Sequence, residues 1–310
     1  MLILYLLAGL ALLLGGLFLM RYGLRQLFSR RLQLILARAT HTPGRGMAAG
    51  IIGAALMQSS TALTLITIGL VSAEYMSFYQ GLGIILGANI GTCSTVGLLT
   101  LNLSAGRLLP LLAAGALTAL VVRRVRFTAL ALTGMLAMFS GVSLLSDALA
   151  ALSEVATVVR WLAAAGNNPL YGIGAGIVLT FLFQSSSAAT GLLMTLAGEG
   201  AIGITAAAYG VYGNNIGSCL SSVLIGTTAP LAAKRVAMSH IVLNILGVMA
   251  FLPFTGLLTK AVLWLTPEFA AQVAVLHAVF NIVSSLAVVP VIRPFAALIA
   301  FLVPGDGGRG

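Results

Sequence analysis

Two apolar segments, residues 47–73 and 169–198, each carry a run of polar side chains near the middle: QSSTALT at 58–64 and QSSSAAT at 184–190. This feature constrains the fold more than any other. In hydrocarbon an unpaired polar group is costly. A lone serine or threonine in a membrane helix bonds its own helix or a neighbour. Three adjacent polar residues point in several directions around a helix, so one packing face cannot absorb them. Unwound backbone lining a cavity can. The bilayer itself is required by composition. The chain is 60% hydrophobic and 7% charged, with a mean hydropathy of +1.10, whereas soluble domains carry about 25% charged residues. The expectation is an all-α polytopic membrane protein embedded in the lipid bilayer.

The net charge of +10 does not indicate nucleic acid as a partner. The basic residues cluster in short gaps between apolar runs, where they report membrane orientation. Cys93 and Cys219 lie inside apolar segments, so no disulfide framework is expected. Residues 1–20 have no preceding basic residue and are followed by Arg21. That is the wrong polarity for a cleaved signal peptide, and a first transmembrane helix with its N-terminus outside is expected.

Sliding the sequence against itself by 126 residues aligns Gln58, Ser59 and Ser60 with Gln184, Ser185 and Ser186. At the same offset Gly87, Asn89, Ile90, Gly91 and Cys93 meet Gly213, Asn215, Ile216, Gly217 and Cys219. Over residues 47–100 the alignment has 16 identities in 54 positions without a gap. Apolar composition inflates matches at leucine and alanine, but not at rare polar residues in two motifs. Internal duplication is the reading, and symmetric halves are typical of secondary transporters.

Orientation follows from the basic clusters: Arg21, Arg25, Arg30, Arg31, Arg38 and Arg45; Arg123, Arg124 and Arg126; Lys234 and Arg235. If 47–73 were a full span, the middle cluster would fall on the opposite side from the others. With 47–73 and 169–198 as re-entrant hairpins, all three clusters and Arg293 fall inside. Asp147, Glu154, Glu199 and Glu268 then fall outside, with Arg107, Arg160, Lys260 and Glu74 as exceptions. The fold expected is two inverted-topology repeats, each a hairpin carrying Gln-Ser-Ser plus a broken helix. Full spans are predicted near 1–20, 78–103, 105–122, 127–146, 202–226, 237–258 and 270–290. The chain divides into an N-terminal helix and basic cytoplasmic loop (1–46), a first repeat (47–146), an interfacial segment (147–168), a second repeat (169–290) and a tail (291–310). Residues 295–303 are too few to span.

Candidate ligands follow from chemistry. GANIGTCST (87–95) and GNNIGSCLSS (213–222) form the second repeated motif. Gly83, Gly87 and Gly91 make a small-residue ladder that by itself means close helix packing. Asn89, Asn214 and Asn215 offer amide donors and acceptors, with packing and ligand roles both open. Together with Thr64, Thr92, Thr190 and Ser218, the motifs present hydroxyls and amides but no acid and no base. Such oxygens are hard ligands for sodium, and the same hydroxyls, amides and half-helix N-termini donate to an anion. His240 with Asn244 and His277 with Asn281 are spaced i, i+4, each pair on one helix face. An intramembrane serine hydrolase is the rival reading, but there is no Gly-x-Ser-x-Gly and a duplicated nucleophile is out of place. Interhelical hydrogen bonding is the reading for the histidines. No histidine, cysteine and carboxylate cluster has metal-ligand spacing, and no Walker A motif is present.

The doubled Gln-Ser-Ser, the Gly-x-Asn-Ile-Gly after each, and the Ser-His-x-x-x-Asn (239–244) and Leu-His-x-x-Phe-Asn (276–281) segments resemble the type II sodium-dependent phosphate cotransporters over most of residues 47–290. The resemblance implies inorganic phosphate as substrate and sodium as coupling ion, with no cofactor. It puts the motif on Gln58, Ser59, Ser60, Thr61, Gln184, Ser185, Ser186 and Ser187, with Thr61 where a third serine is common. The implied location is a bacterial cytoplasmic membrane, and a homo-oligomer is compatible with it. Bacterial relatives often continue into a soluble regulatory domain; the sequence ends at Gly310, so a member without that domain is expected. Other small oxyanions remain an alternative substrate.

Overall fold

A chain that must satisfy every backbone group within a bilayer folds as helices or as a closed barrel. The computed structural model describes residues 2–39, 42–101, 105–152, 166 and 168–305, and all regular structure among them is helical. The helices are α1 (Leu2–Ala39), α2 (Pro43–Met57), α3 (Ser60–Ser72), α4 (Phe78–Gly91), α5 (Cys93–Leu99), α6 (Ala105–Val121) and α7 (Arg126–Leu152). They continue with α8 (Pro169–Phe183), α9 (Ser186–Gly198), α10 (Ile204–Gly226), α11 (Leu231–Phe251), α12 (Thr255–Leu265), α13 (Phe269–Val288) and α14 (Ile292–Leu302).

Among the described residues, five helical segments are long and apolar enough to cross a membrane: Ile3–Phe28, Phe78–Leu99, Arg123–Ala148, Leu231–Leu265 and Phe269–Val288. The protein is a multi-pass membrane protein. Several expected boundaries shift. The first helix does not end at residue 20 but runs to Ala39, through the basic cluster, because arginine is a good helix former. Residues 237–258 belong to a longer segment, 231–265. The α6 and α10 helices, expected as spans 105–122 and 202–226, are not among the five. The expected interfacial segment begins inside α7, and Arg160 and Trp161 lie outside the described residues. The 11 residues of α14 reach about 17 Å, short of the hydrocarbon thickness. Phe295, Ala296 and Ile299 pack it against Leu82, Leu86 and Leu243.

The chain forms two compact units. One comprises Met1–Ser29, Thr95–Gly217 and Phe254–His277; the other comprises Arg30–Ser94, Ser218–Pro253 and Ala278–Gly310. The first has a core of Leu13, Leu17, Met138, Phe139, Leu193 and Val211 among others. Ala54, Leu63, Ile84, Ala88, Val236 and Ala237 belong to a core of the second.

Within each unit glycines bring a motif-bearing helix against its neighbour. In the second unit a Cβ on Gly83, Gly87 or Gly91 of α4 would collide with the Pro43, Met47 or Ile51 carbonyl oxygen of α2. In the first unit a Cβ on Gly213 of α10 would collide with the Ile173 carbonyl of α8, and one on Gly217 would lie 3.1 Å from that of Ile177. Met47 and Ile51 precede Ile173 and Ile177 by the repeat offset, so the duplication extends to the packing. The α1 and α7 helices meet in the same manner through Gly16, Gly134 and Gly141. Such contacts matter most in lipid, where close van der Waals packing rather than water exclusion holds helices together.

Gly69 is exposed, with nothing within 4 Å of a built Cβ. Gly87→Ala and Gly213→Ala should therefore each cost about 1–3 kcal/mol through forced helix separation. Gly69→Ala should be neutral or stabilising by up to about 1 kcal/mol. Thermal unfolding of the three purified variants in detergent measures this; equal melting temperatures would refute the packing account.

Candidate functional site

Each Gln-Ser-Ser lies at a break between two short helices, and the break explains its residue types. The α2 helix starts at Thr42, whose hydroxyl accepts from the Arg45 N–H, with Pro43 in the first turn. It ends where Gln58 enters the left-handed region at φ 51°, ψ 32°, a conformation unfavourable for a residue with a Cβ. The Gln58 backbone N–H donates to the Ala54 carbonyl. Its side-chain Nε2 donates to the Ala55 carbonyl at 2.6 Å and to Ser94 Oγ at 3.2 Å. Ser59 then turns to extended backbone, φ −160°, ψ 104°. Its Oγ accepts from the Ala62 N–H at 3.2 Å and so caps α3.

The second motif repeats this geometry. Asn168 caps α8 by accepting from the Leu170 N–H at 2.9 Å. Gln184 sits at φ 50°, ψ 29° and donates to the Phe181 carbonyl at 2.7 Å. Ser185, at φ −158°, ψ 110°, accepts from the Ala188 N–H at 3.2 Å. A helix end leaves carbonyls and N–H groups without intrahelical partners. Glutamine supplies the carbonyl's donor and serine the N–H's acceptor. The first two motif residues thus form the break, and the next two open the following helix: Ser60 and Thr61 on α3, Ser186 and Ser187 on α9. Ser60 and Ser187 are buried, while Thr61 and Ser186 are half-buried. Gln58 is buried, whereas Gln184 is exposed.

The polar residues downstream are used differently in the two repeats. Asn214 joins three helices of the first unit. Its Nδ2 donates to Thr190 Oγ1 at 3.1 Å and its Oδ1 accepts from Thr180 Oγ1 at 3.2 Å. With the amide turned over, its nitrogen donates to the Gly176 and Gly210 carbonyls at 2.9 and 3.2 Å, and its oxygen accepts from the Thr190 N–H at 3.1 Å. Either way Asn214 and Thr190 are committed to packing. Asn215 donates to the Val211 carbonyl of its own helix at 2.8 Å. In the other repeat Ala54 and Ala88 stand where Thr180 and Asn214 do, so those side chains cannot form the matching bonds. Thr64 Oγ1 and Asn89 Nδ2 are buried without a hydrogen-bond partner among the described residues, and Thr92 is buried near the end of α4.

The expected broken helix is reduced in the first repeat to a one-residue turn at Thr92, which keeps helical φ −65°, ψ −21° and still donates its N–H to the Ala88 carbonyl, so Phe78–Leu99 stays nearly continuous. It does not appear in the second repeat, where α10 runs unbroken from Ile204 to Gly226 through Ser218. Gly213 and Gly217 there serve close packing, and an asparagine bonded back to its own helix leaves the backbone ladder intact.

Of His240 and His277, the former contacts a neighbouring helix. In the second unit Ser222 Oγ of α10 lies 3.2 Å from His240 Nδ1 of α11. Asn244 Nδ2 donates to Cys219 Sγ at 3.2 Å and to the His240 carbonyl at 2.9 Å. His277 and Asn281 are buried on α13.

Sequence reasoning missed three participants. Thr180 carried no signal beyond proximity to a motif, and Ser222, the last residue of the motif at 213–222, was not singled out within it. Arg21 was read only as an orientation marker, yet in the first unit its guanidinium reaches Ser187 Oγ at 3.5 Å. The same unit holds a cavity of about 480 Å³ lined by Asp147, Glu199 and Glu268 together with Ser143, Ser146 and Thr195. No Gln-Ser-Ser residue lines it. It does gather three of the four carboxylates that the charge pattern assigned to one side.

Asn214→Ala should leave the buried Thr180 and Thr190 hydroxyls without their partner and cost about 1–3 kcal/mol. Asn89→Leu removes an amide nitrogen with no bond to lose and should be neutral to stabilising. Melting temperatures of the two variants test the contrast; an equal drop in both would show that Asn89 also holds the fold.

Comparison with known proteins agrees with this architecture. The family model described as Na+/Pi-cotransporter matches twice, over residues 12–147 and 138–277, and the two matches begin 126 residues apart. The chain is 32% identical over 269 residues to the uncharacterized protein YqeW of Bacillus subtilis, covering 86% of this chain and 85% of that one. It is 30% identical over 263 residues to the "Putative inorganic phosphate export protein YjbB" of Escherichia coli K12, covering 84% of this chain. A similarly named protein of Salmonella typhimurium is 31% identical over 255 residues, 81% of this chain. The chain spans about half the length of these YjbB proteins, 48% and 47%. No solved structure matches. The protein is a member of the Na+/Pi-cotransporter family, a family of membrane transporters.

Proposed function

We propose that the protein is a secondary transporter that moves inorganic phosphate together with sodium by alternating access, without an enzymatic step and with sodium as its one coupling ion. The observation that carries this reading is the duplicated break. At each tip two hydroxyl-bearing residues, Ser60 and Thr61 or Ser186 and Ser187, open a helix of 13 residues. Early N–H groups at a helix start attract anions, and the neighbouring hydroxyls both donate and accept. Sodium requires oxygen ligands of the kind these hydroxyls and the buried Thr64 and Asn89 supply. An anion and sodium bound together lower each other's desolvation cost.

Each helix–break–helix is read as a re-entrant hairpin, the two entering from opposite sides as inverted repeats. Their arms have 15 and 13 residues, about 20 Å at the helical rise and short of a full crossing of about 30 Å. The charge pattern supports the opposed orientation. The relatives named for phosphate export do not conflict with uptake. A coupled carrier without an energy-consuming reaction runs in whichever direction the combined gradients favour, and a membrane potential contributes about 2.3 kcal/mol per net charge per 100 mV.

Single-cysteine labelling in a background lacking Cys93 and Cys219 tests the hairpins. Positions 45 and 74 should react from one side of the membrane, and 168 and 199 from the other. Labelling of 45 and 74 from opposite sides would overturn the first hairpin.

Uptake of labelled phosphate into proteoliposomes tests the function. It should require inward sodium, collapse when choline replaces sodium, and compete poorly with sulfate. Ser60→Ala and Ser186→Ala should each weaken phosphate affinity roughly tenfold, the effect of about 1.5–3 kcal/mol for a lost bond to a charged ligand. If both motifs serve one transported ion set, the double variant should be non-additive. Normal uptake in the double variant would remove the transport role of both motifs.

A further inference from the structure

We infer that Arg21 is the specificity-determining cation of the second motif, holding Ser187 with its guanidinium and contributing fixed positive charge to the bound anion. The inference rests on the phosphate reading above and adds a residue to it from outside both motifs. Taken alone, the motifs offer neutral donors only, which would leave sodium as the source of positive charge. The tertiary structure alters that. Arg21 lies within α1 on a segment long and apolar enough to span a membrane, Ile3–Phe28, and it is half-buried rather than exposed. An arginine inside a membrane segment is expensive and marks an ion or substrate path when it faces protein rather than lipid. Here it faces the motif: its Nη2 approaches Ser187 Oγ at 3.5 Å, and Ser187 is 2% exposed.

Close backbone contacts fix the helix that carries Arg21. On α1, a Cβ on Gly16 would collide with Met138 and Gly134 of α7, and one on Gly23 would lie 2.5 Å from the Phe127 carbonyl. Arg21 therefore sits on a helix clamped to its neighbour one turn or so to either side. The guanidinium is a planar fork with five N–H donors that matches the geometry of tetrahedral oxyanions. With the guanidinium beside the Ser187 hydroxyl, an oxyanion bound there meets the hydroxyl and the fixed cation together. At 3.5 Å the hydroxyl contact is long for a hydrogen bond, and it should tighten around a bound anion. Lysine keeps the charge but lacks the fork.

The test is phosphate uptake by proteoliposomes of the full chain carrying Arg21→Gln or Arg21→Lys, with melting temperature and sodium activation measured on the same preparations. Arg21→Gln should raise the phosphate KM roughly ten- to hundredfold, leaving the maximal rate and the sodium activation constant near those of the parent. Arg21→Lys should fall between the two. An unchanged phosphate KM in Arg21→Gln overturns the inference. So does a loss in which phosphate KM, sodium activation and melting temperature worsen together and Lys does no better than Gln, because that pattern marks a structural arginine. Should Arg21→Gln fail to fold, Arg21→Lys decides: a raised phosphate KM at unchanged melting temperature supports the inference and a parental KM overturns it. If the parent protein moves no phosphate, the phosphate reading itself fails. Phosphate transport by a parent whose KM is indifferent to residue 21 sinks the role of Arg21 alone.

Discussion

Ending a helix inside a nonpolar medium leaves several carbonyls and N–H groups without partners, and no lipid can replace them. The structure depends on how this is handled at Gln58–Ser59 and Gln184–Ser185. In both places one glutamine takes the left-handed conformation and turns its amide back to a carbonyl three residues earlier, while one serine caps the next helix. These bonds permit a break where a continuous helix would otherwise be favoured. The helices on each side then carry further hydroxyls, and the glycine contacts of α2 with α4 and of α8 with α10 hold the breaks against a neighbour.

The two copies share a backbone but not its polar wiring. In one, Thr180, Thr190 and Asn214 lock three helices with side-chain bonds. In the other, alanines occupy two of the matching positions, and Thr64 Oγ1 and Asn89 Nδ2 are buried without a hydrogen-bond partner among the described residues. A buried polar atom without a partner destabilises a fold unless something else engages it.

How far the sequence reached depended on the range of the interaction. The helix breaks were legible because the bonds that make them are local: glutamine to a residue three before it, serine to a residue three after it. The glycine ladder of α4 was legible for a similar reason, since regular spacing along one helix defines one face. Helix ends were read less well. Arg21 suggested a boundary after residue 20, but charged residues with high helix propensity let α1 continue to Ala39. The supposed break in α10 failed because glycine permits unwinding without requiring it, and packing against α8 decided the matter.

The sequence by itself determined the bilayer as solvent, helix as the only regular structure among the described residues, the duplication and the two capped breaks. All of these follow from composition, periodicity or contacts within one turn of the chain. Only the tertiary structure decided which asparagine is spent on packing, that His240 answers Ser222, and that Arg21 reaches Ser187. Those pairings join residues separated by 18 to 166 positions. Whether two such groups meet is set by how closely the helix backbones approach and which faces they turn to each other. No local pattern in a single chain encodes that.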